Sequence, residues 1–148
     1  MKRRSVLMLA ACAMFVLSVA GLSRAVAQSA TGKTHRVVVA VTSGDVMDWN
    51  IALGNIGNLL AGLKPDTVEV EVVSFAGGIN MVKADSAVAA DIAKLQEQGV
   101  KFVACQNSMR AHKLELKDLL PGLSPVPSGI VEVVTKQEQG WVYIKGGR

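Results

Sequence analysis

The chain predicts an α/β domain, a three-layer α/β/α sandwich around a mostly parallel sheet of four to five strands. Three observations predict it. Short apolar runs (Arg36–Thr42, Val68–Phe75, Val100–Ala104 and Trp141–Ile144) alternate with longer segments of helical period. The runs are rich in Val and Ala while aromatics make up only 4% of the chain, which suits strands covered on both faces. Two helical segments end alike, Gln96-Glu97-Gln98-Gly99 and Gln137-Glu138-Gln139-Gly140, each just before a new apolar run. That is one helix-to-strand device used twice.

The start of the 148-residue chain stands apart from this pattern. Lys2, Arg3 and Arg4 precede an apolar stretch from Val6 to Leu22, and Ala25-Val26-Ala27 forms a small-residue cleavage signal. This reads as a secretory signal peptide over 1–27, with a mature domain over 28–148 and a periplasmic destination. Arg3-Arg4 has the form of a twin-arginine pair, and Leu9-Ala10-Ala11-Cys12 that of a lipoprotein box. The apolar run is long and continues well past Cys12, so ordinary export, loss of Cys12 and no membrane attachment after cleavage are expected.

The whole chain carries 16 Lys and Arg against 12 Asp and Glu. Lys2, Arg3, Arg4 and Arg24 leave with the leader and no acid does, so the mature domain balances at zero. With no basic surplus, no nucleic-acid partner is expected. Cys105 is then the one cysteine left, and in an oxidising compartment it has no internal disulfide partner.

Arg36–Thr42 is apolar on both faces, which predicts a central strand. Ser43-Gly44-Asp45 is a turn, and a helix follows from about Met47 to Gly62, its buried face marked by Trp49, Ala52, Leu53, Ile56, Leu59, Leu60 and Leu63. Gly54 and Gly57 weaken that helix by roughly 1 kcal/mol each, a cost that close packing on the sheet or on another subunit would offset. Val68–Phe75 alternates in its first half, which predicts a sheet margin with one face in water. Ser86 caps a predicted helix through Gln98, with Val88, Ile92 and Leu95 inward. Short helical turns are expected over Asn107–His112 and Leu116–Leu120, and a short strand at most over Leu123–Pro127, given its two prolines. Ser128 caps a last helix with Ile130, Val133 and Val134 inward.

Three loops fall at the carboxyl ends of strands: Thr42–Asp48, Ala76–Asn80 and Cys105–Met109. In doubly wound sheets such loops converge on one cleft. The candidate site residues are therefore Cys105 as the reactive group, with Ser43, Gly44, Asp45, Gly78, Asn80, Asn107, Ser108 and Ser128 as binding groups. Cys105 has two readings, a small hydrophobe filling a strand end and a thiolate nucleophile favoured by the next helix start. Asn107, Ser108 and Ser128 either donate into a cleft or cap helices. Ser43-Gly44-Asp45 has backbone N–H groups suited to an anion, yet Asp45 and Asp48 put negative charge at that helix start, where they act as caps. His112 lies seven residues past Cys105, roughly 10 Å along a helix, too far to serve as its base. His35 has no evident partner. No P-loop, dinucleotide fingerprint or zinc-ligand spacing occurs, so no cofactor and no metal are expected.

The stretch Gly99-Val100-Lys101-Phe102-Val103-Ala104-Cys105-Gln106-Asn107-Ser108-Met109-Arg110 resembles the DsrE/DsrF-like family of sulfur-relay proteins. The resemblance extends through Thr42-Ser43-Gly44-Asp45, Gly77-Gly78-Ile79-Asn80, Val126-Pro127-Ser128-Gly129 and Gly140-Trp141-Val142-Tyr143-Ile144. It implies a flavodoxin-like fold, assembly into a homo-oligomer (trimer or hexamer), and a persulfide carried on Cys105. The partners it implies are a sulfane-sulfur donor and an acceptor thiol or protein. The expected function is thus a periplasmic sulfur carrier or sulfurtransferase-like protein. The alternative is a non-enzymatic oligomeric protein that binds a small ligand, with Cys105 structural.

Overall fold

β-Branched runs build the sheet. In the computed structural model, which describes residues 32–148, β1 (Thr34–Val41) carries four valines and an alanine in its last five positions, and all five are buried. The predicted signal peptide, with Cys12 in it, lies outside the described residues. α1 (Val46–Gly62) follows, then β2 (Thr67–Ser74), a 3₁₀ turn (Ala76–Val82), α2 (Ala89–Glu97) and β3 (Lys101–Cys105). The short α3 (Gln106–Ala111), a second 3₁₀ turn (Leu116–Asp118), β4 (Ser124–Val126), α4 (Gly129–Glu138) and β5 (Val142–Gly146) complete the chain.

The five strands among the described residues are all parallel, in the order β4-β3-β2-β1-β5. The chain steps one way from β1 to β4 and then returns, so the strand order reverses between β1 and β5. Alternation divides the side chains between two layers. Val37, Val39, Val41, Val70, Val72, Phe102 and Ala104 face Trp49, Ala52, Leu53 and Ile56 of α1 and Ile92 and Leu95 of α2. Val38, Ala40, Val73 and Val103 face the other way, against Val133 of α4. The three-layer α/β/α arrangement is therefore present, with one layer much thinner than the other. α1 and α2 cover one face, and the ten-residue α4 is the helix on the other.

The repeated helix stop works as its sequence implies. Gly99 and Gly140 both adopt left-handed backbone, φ +90° and +83°. The Gly99 N–H donates to Gln96 O and the Val100 N–H to Leu95 O; Gly140 and Trp141 repeat the pair with Gln137 and Lys136. Both are Schellman closures, and each delivers the chain directly into a strand.

Several expectations are corrected. β2 is an interior strand between β1 and β3, not a margin. Its alternation arises because Glu69 is exposed while Glu71, on the same face, is buried under α4 with Lys136 as its partner at 2.6 Å. Of the three residues expected inward on α4 only Val133 is buried; Ile130 and Val134 are exposed. α2 begins at Ala89 rather than at Ser86, whose hydroxyl accepts the Val88 N–H at 3.3 Å. Gly54 and Gly57 have open space where a Cβ would stand, so they do not serve packing on the sheet.

Candidate functional site at the carboxyl end of β3

Two strand-end loops meet backbone to backbone, and a side chain joins the third to them. A Cβ on Gly78 would lie 2.0 Å from Val41 O, and one on Gly77 would lie 2.9 Å from Gly44 N. Only residues without a side chain let the loop after β2 rest on the loop after β1. The Gly78 N–H then donates to Thr42 O at 3.0 Å. The neighbouring connection is made by a side chain: the Ala76 N–H donates to Ser108 Oγ at 2.8 Å. Ala76 adopts left-handed backbone, φ +49°, to make that turn.

Cys105 ends β3, and alternation with Val103 directs its side chain toward the α4 face. The groups whose position favours its thiolate are the Ser108 hydroxyl and, more weakly, the backbone N–H groups of Gly129, Ser108 and Asn107. The Ser108 oxygen is already taken by the Ala76 N–H, which leaves its hydrogen for the sulfur. The two α3 N–H groups act as oriented dipoles, since Sγ makes no capping hydrogen bond to that helix. Burial of the thiol pushes its pKa up, and the four donors, led by the Ser108 hydroxyl, pull it down. The donors prevail, so the thiol titrates below its ordinary range.

The Gly129 contact depends on local sequence. A Cβ there would lie 2.7 Å from Phe75 Cβ and 2.8 Å from its Cγ. Glycine allows the first turn of α4 to settle on Phe75. Cys105 itself is 4% exposed, while Asn107, two residues on, and Ala76, bonded to Ser108, are exposed.

The other candidate residues are elsewhere or internally bonded. Ser43 Oγ accepts the Asp45 N–H at 3.1 Å, and the carbonyl of Ser43 accepts from Trp49 Nε1 at 2.7 Å. Asp45 caps α1 through the Met47 N–H at 2.9 Å. Asp45 and Asp48 also hold Arg148, with Arg148 Nη2 to Asp45 Oδ2 at 2.7 Å and Arg148 Nε to Asp48 Oδ1 at 2.9 Å. Hydrogen bonds from Arg148 first, and from Ser43 next, hold the Asp48 carboxyl well below the usual carboxylate range. This ion cluster lies at the strand-order reversal, where α/β sheets commonly take ligands. The chain's own Arg148 occupies the acidic groups there.

Gly44 and Gly78 serve loop packing, and Asn80 donates to Gly77 O at 3.1 Å within its own loop. The Asn107 side chain accepts from Arg110 on the exposed side of α3, while its N–H serves the thiol. Ser128 takes the N-cap position of α4 without a side-chain capping bond. His112 is exposed at the end of α3. His35 bonds Asp66 at 3.0 Å near the amino end of β1, the far end of the sheet from Cys105. The structure thus gathers Cys105, Asn107 and Ser108 into one site and adds Phe75, Ala76 and Gly129, which sequence reasoning did not single out. Gly129 did leave a signal, a glycine inside the first turn of a helix that it weakens.

A family model described as the DsrE/DsrF-like family matches residues 22–145. The chain belongs to the DsrE/DsrF-like family. Its fold is shared with a solved structure titled as protein of unknown function MTH1491 from Methanobacterium thermoautotrophicum, at 37% identity and a TM-score of 0.72. That match covers 75% of this chain and 98% of the other. Comparison with curated proteins finds no match. Membership in the DsrE/DsrF-like family associates the chain with sulfur relay in general terms.

Proposed function

We propose that this DsrE/DsrF-like protein is a sulfur carrier that holds sulfane sulfur as a persulfide on Cys105. The observation that carries the reading is the place of Cys105, at the carboxyl end of β3 against the start of α3 and the loop bond from Ala76 to Ser108, where nearby polar groups favour its thiolate against the cost of burial. The Cys105 thiolate attacks the outer sulfur of a donor R–S–SH. The donor's S–S bond breaks, R–S⁻ leaves with the electron pair, and Cys105–S–SH forms. An acceptor thiolate then attacks the terminal sulfur, and Cys105 departs as the thiolate. No net oxidation occurs in either step. The donors that favour thiolate make Cys105 both the nucleophile of the first step and the leaving group of the second.

The test is intact mass after treatment with polysulfide, for the wild type and for Cys105→Ser. The expected result is one added sulfur, confined to the wild type and removed by an acceptor thiol. No adduct at any donor concentration would leave Cys105 structural and favour a ligand-binding role.

Export to the periplasm rests on the signal-peptide pattern of residues 1–27. N-terminal sequencing of periplasmic material is expected to begin at Gln28. Assembly into a homo-oligomer, a trimer or hexamer, is part of the same proposal. Exposed Ile130, Val131 and Val134 on α4, with Val142 and Tyr143 on edge strand β5, support it. Ile130 directly follows Gly129, so a subunit packed there would border the Cys105 site. Light scattering of the reduced mature protein decides between an oligomer and a single monomeric species.

A further inference from the structure

Glu71 and Lys136 lie outside the Cys105 site and take no part in the steps above. Among the ion pairs of the described residues, theirs is the one with both side chains largely buried. Lys136 Nζ is 2.6 Å from Glu71 Oε2, with the two side chains only 17% and 6% exposed. The same ammonium stands 4.5 Å above the Trp141 ring and 3.5 Å from Glu132 Oε1.

The setting of α4 gives the pair its importance. α4 buries just two of its residues, Gly129 at its start and Val133 one turn on. Ile130, Val131 and Val134 face outward. A helix held by one buried valine has little apolar anchorage. Glu71 rises from the middle of β2, and Lys136 is in the last turn of α4, so their contact ties the far end of the helix to the sheet. The near end starts just after β4, whose Val126 pairs with Cys105 in the β3–β4 register; Gly129 there packs against Phe75, and its N–H favours the Cys105 thiolate.

We propose that Glu71 and Lys136 are positioning residues for Cys105: their buried ion pair, seated on Trp141, holds α4 so that its first turn stays in place at the Cys105 site. The inference rests on the Cys105 geometry and not on persulfide formation. The charged groups facing the pair are Glu132 on α4 and Lys101, which is opposite Glu71 in the β2–β3 register. Beside the thiol, α3 contributes Arg110, itself bonded to Asn107.

Burial first, and the nearby Glu132 carboxyl as well, raise the pKa of Glu71, while Lys136 opposes the rise. A lone buried charge on either side is therefore costly, and single substitutions loosen the helix as well as the pair. The test compares Lys136→Met, Lys136→Arg and the exchange Glu71→Lys with Lys136→Glu. The readout is the pH profile of Cys105 alkylation by iodoacetamide, alongside circular dichroism for fold. Lys136→Met is expected to stay folded, move the profile to higher pH and slow alkylation at neutral pH by about fivefold, as loss of one helix-start donor implies. Lys136→Arg is expected to retain the wild-type profile. Should Lys136→Met fail to fold, the exchange variant decides: a wild-type profile upholds the role, and a raised one overturns it. A folded Lys136→Met with an unmoved profile overturns it too. Polysulfide loading of the wild type, measured separately, tells failure of this inference from failure of the carrier reading.

Discussion

Replacing Ser108 by alanine removes one hydroxyl with two partners. Its oxygen accepts the Ala76 N–H at 2.8 Å, and its hydrogen acts on Cys105. The Ala76 N–H lies in a partly exposed loop and regains some solvent contact, so the stability loss is expected to be about 1 kcal/mol. The larger effect falls on the thiolate. A hydrogen bond to a charged group contributes on the order of 1.5 kcal/mol, close to a tenfold change in the thiolate population wherever the thiol is mostly protonated. Alkylation of Cys105 by iodoacetamide, followed by intact mass across a pH series, reads that population. Ser108→Ala is expected to shift the profile to higher pH and to slow the neutral reaction by up to about tenfold. Ser108→Thr keeps a hydroxyl and is expected to retain most of the rate. Superimposable profiles for wild type and a folded Ser108→Ala would refute the assignment of this hydroxyl.

Three further outcomes are expected. Gly78→Ala places a Cβ within 2.0 Å of Val41 O, backbone that cannot yield cheaply, and should lower the urea stability by about 3 kcal/mol or the yield of folded protein outright. Arg148→Ala frees Asp48, whose carboxyl Arg148 holds low. A lowered carboxylate stabilises above its unfolded pKa, near 4 by the usual reference, and loses that effect as pH falls. The variant should therefore be less stable at neutral pH, with the difference closing as the urea series is taken to acid. The lowered thiol obeys the same sign: between the folded thiol's pKa and that of the unfolded chain, the unfolded state binds more protons. Wild-type stability should rise relative to Cys105→Ala from neutral to about pH 9, and a flat difference would count against a lowered thiol.

Much of the fold was legible because it depends on local rules. The valine runs, the helical spacing of Trp49, Ala52, Leu53 and Ile56, and the two Gln-Glu-Gln-Gly stops each fix an element without reference to distant residues. Glu71 shows where that legibility ends. A glutamate in an alternating strand reads as solvent-facing, and its burial depends on Lys136, 65 positions later. The outward Ile130 and Val134 fail the apolar-inward rule for α4. Within the site, Cys105, Asn107 and Ser108 were visible as a cysteine at a strand end followed by helix-start residues. Gly129, Phe75 and Ala76 were not, because their roles arise where α4 and the loop after β2 meet at the thiol. Ser43, Gly44 and Asp45 show the converse: a strand-end loop of suitable composition is occupied by capping bonds and, at Asp45, by Arg148.

The carrier proposal requires the groups around Cys105 to lower the pKa of its thiol. The difference in ultraviolet thiolate absorbance between wild type and Cys105→Ser, recorded against pH in the reduced protein, tests it most directly. A single titration is expected, with its midpoint below the value of about 8.5 found for an unperturbed cysteine. A midpoint at or above that value, or no titration before the protein unfolds, would contradict it.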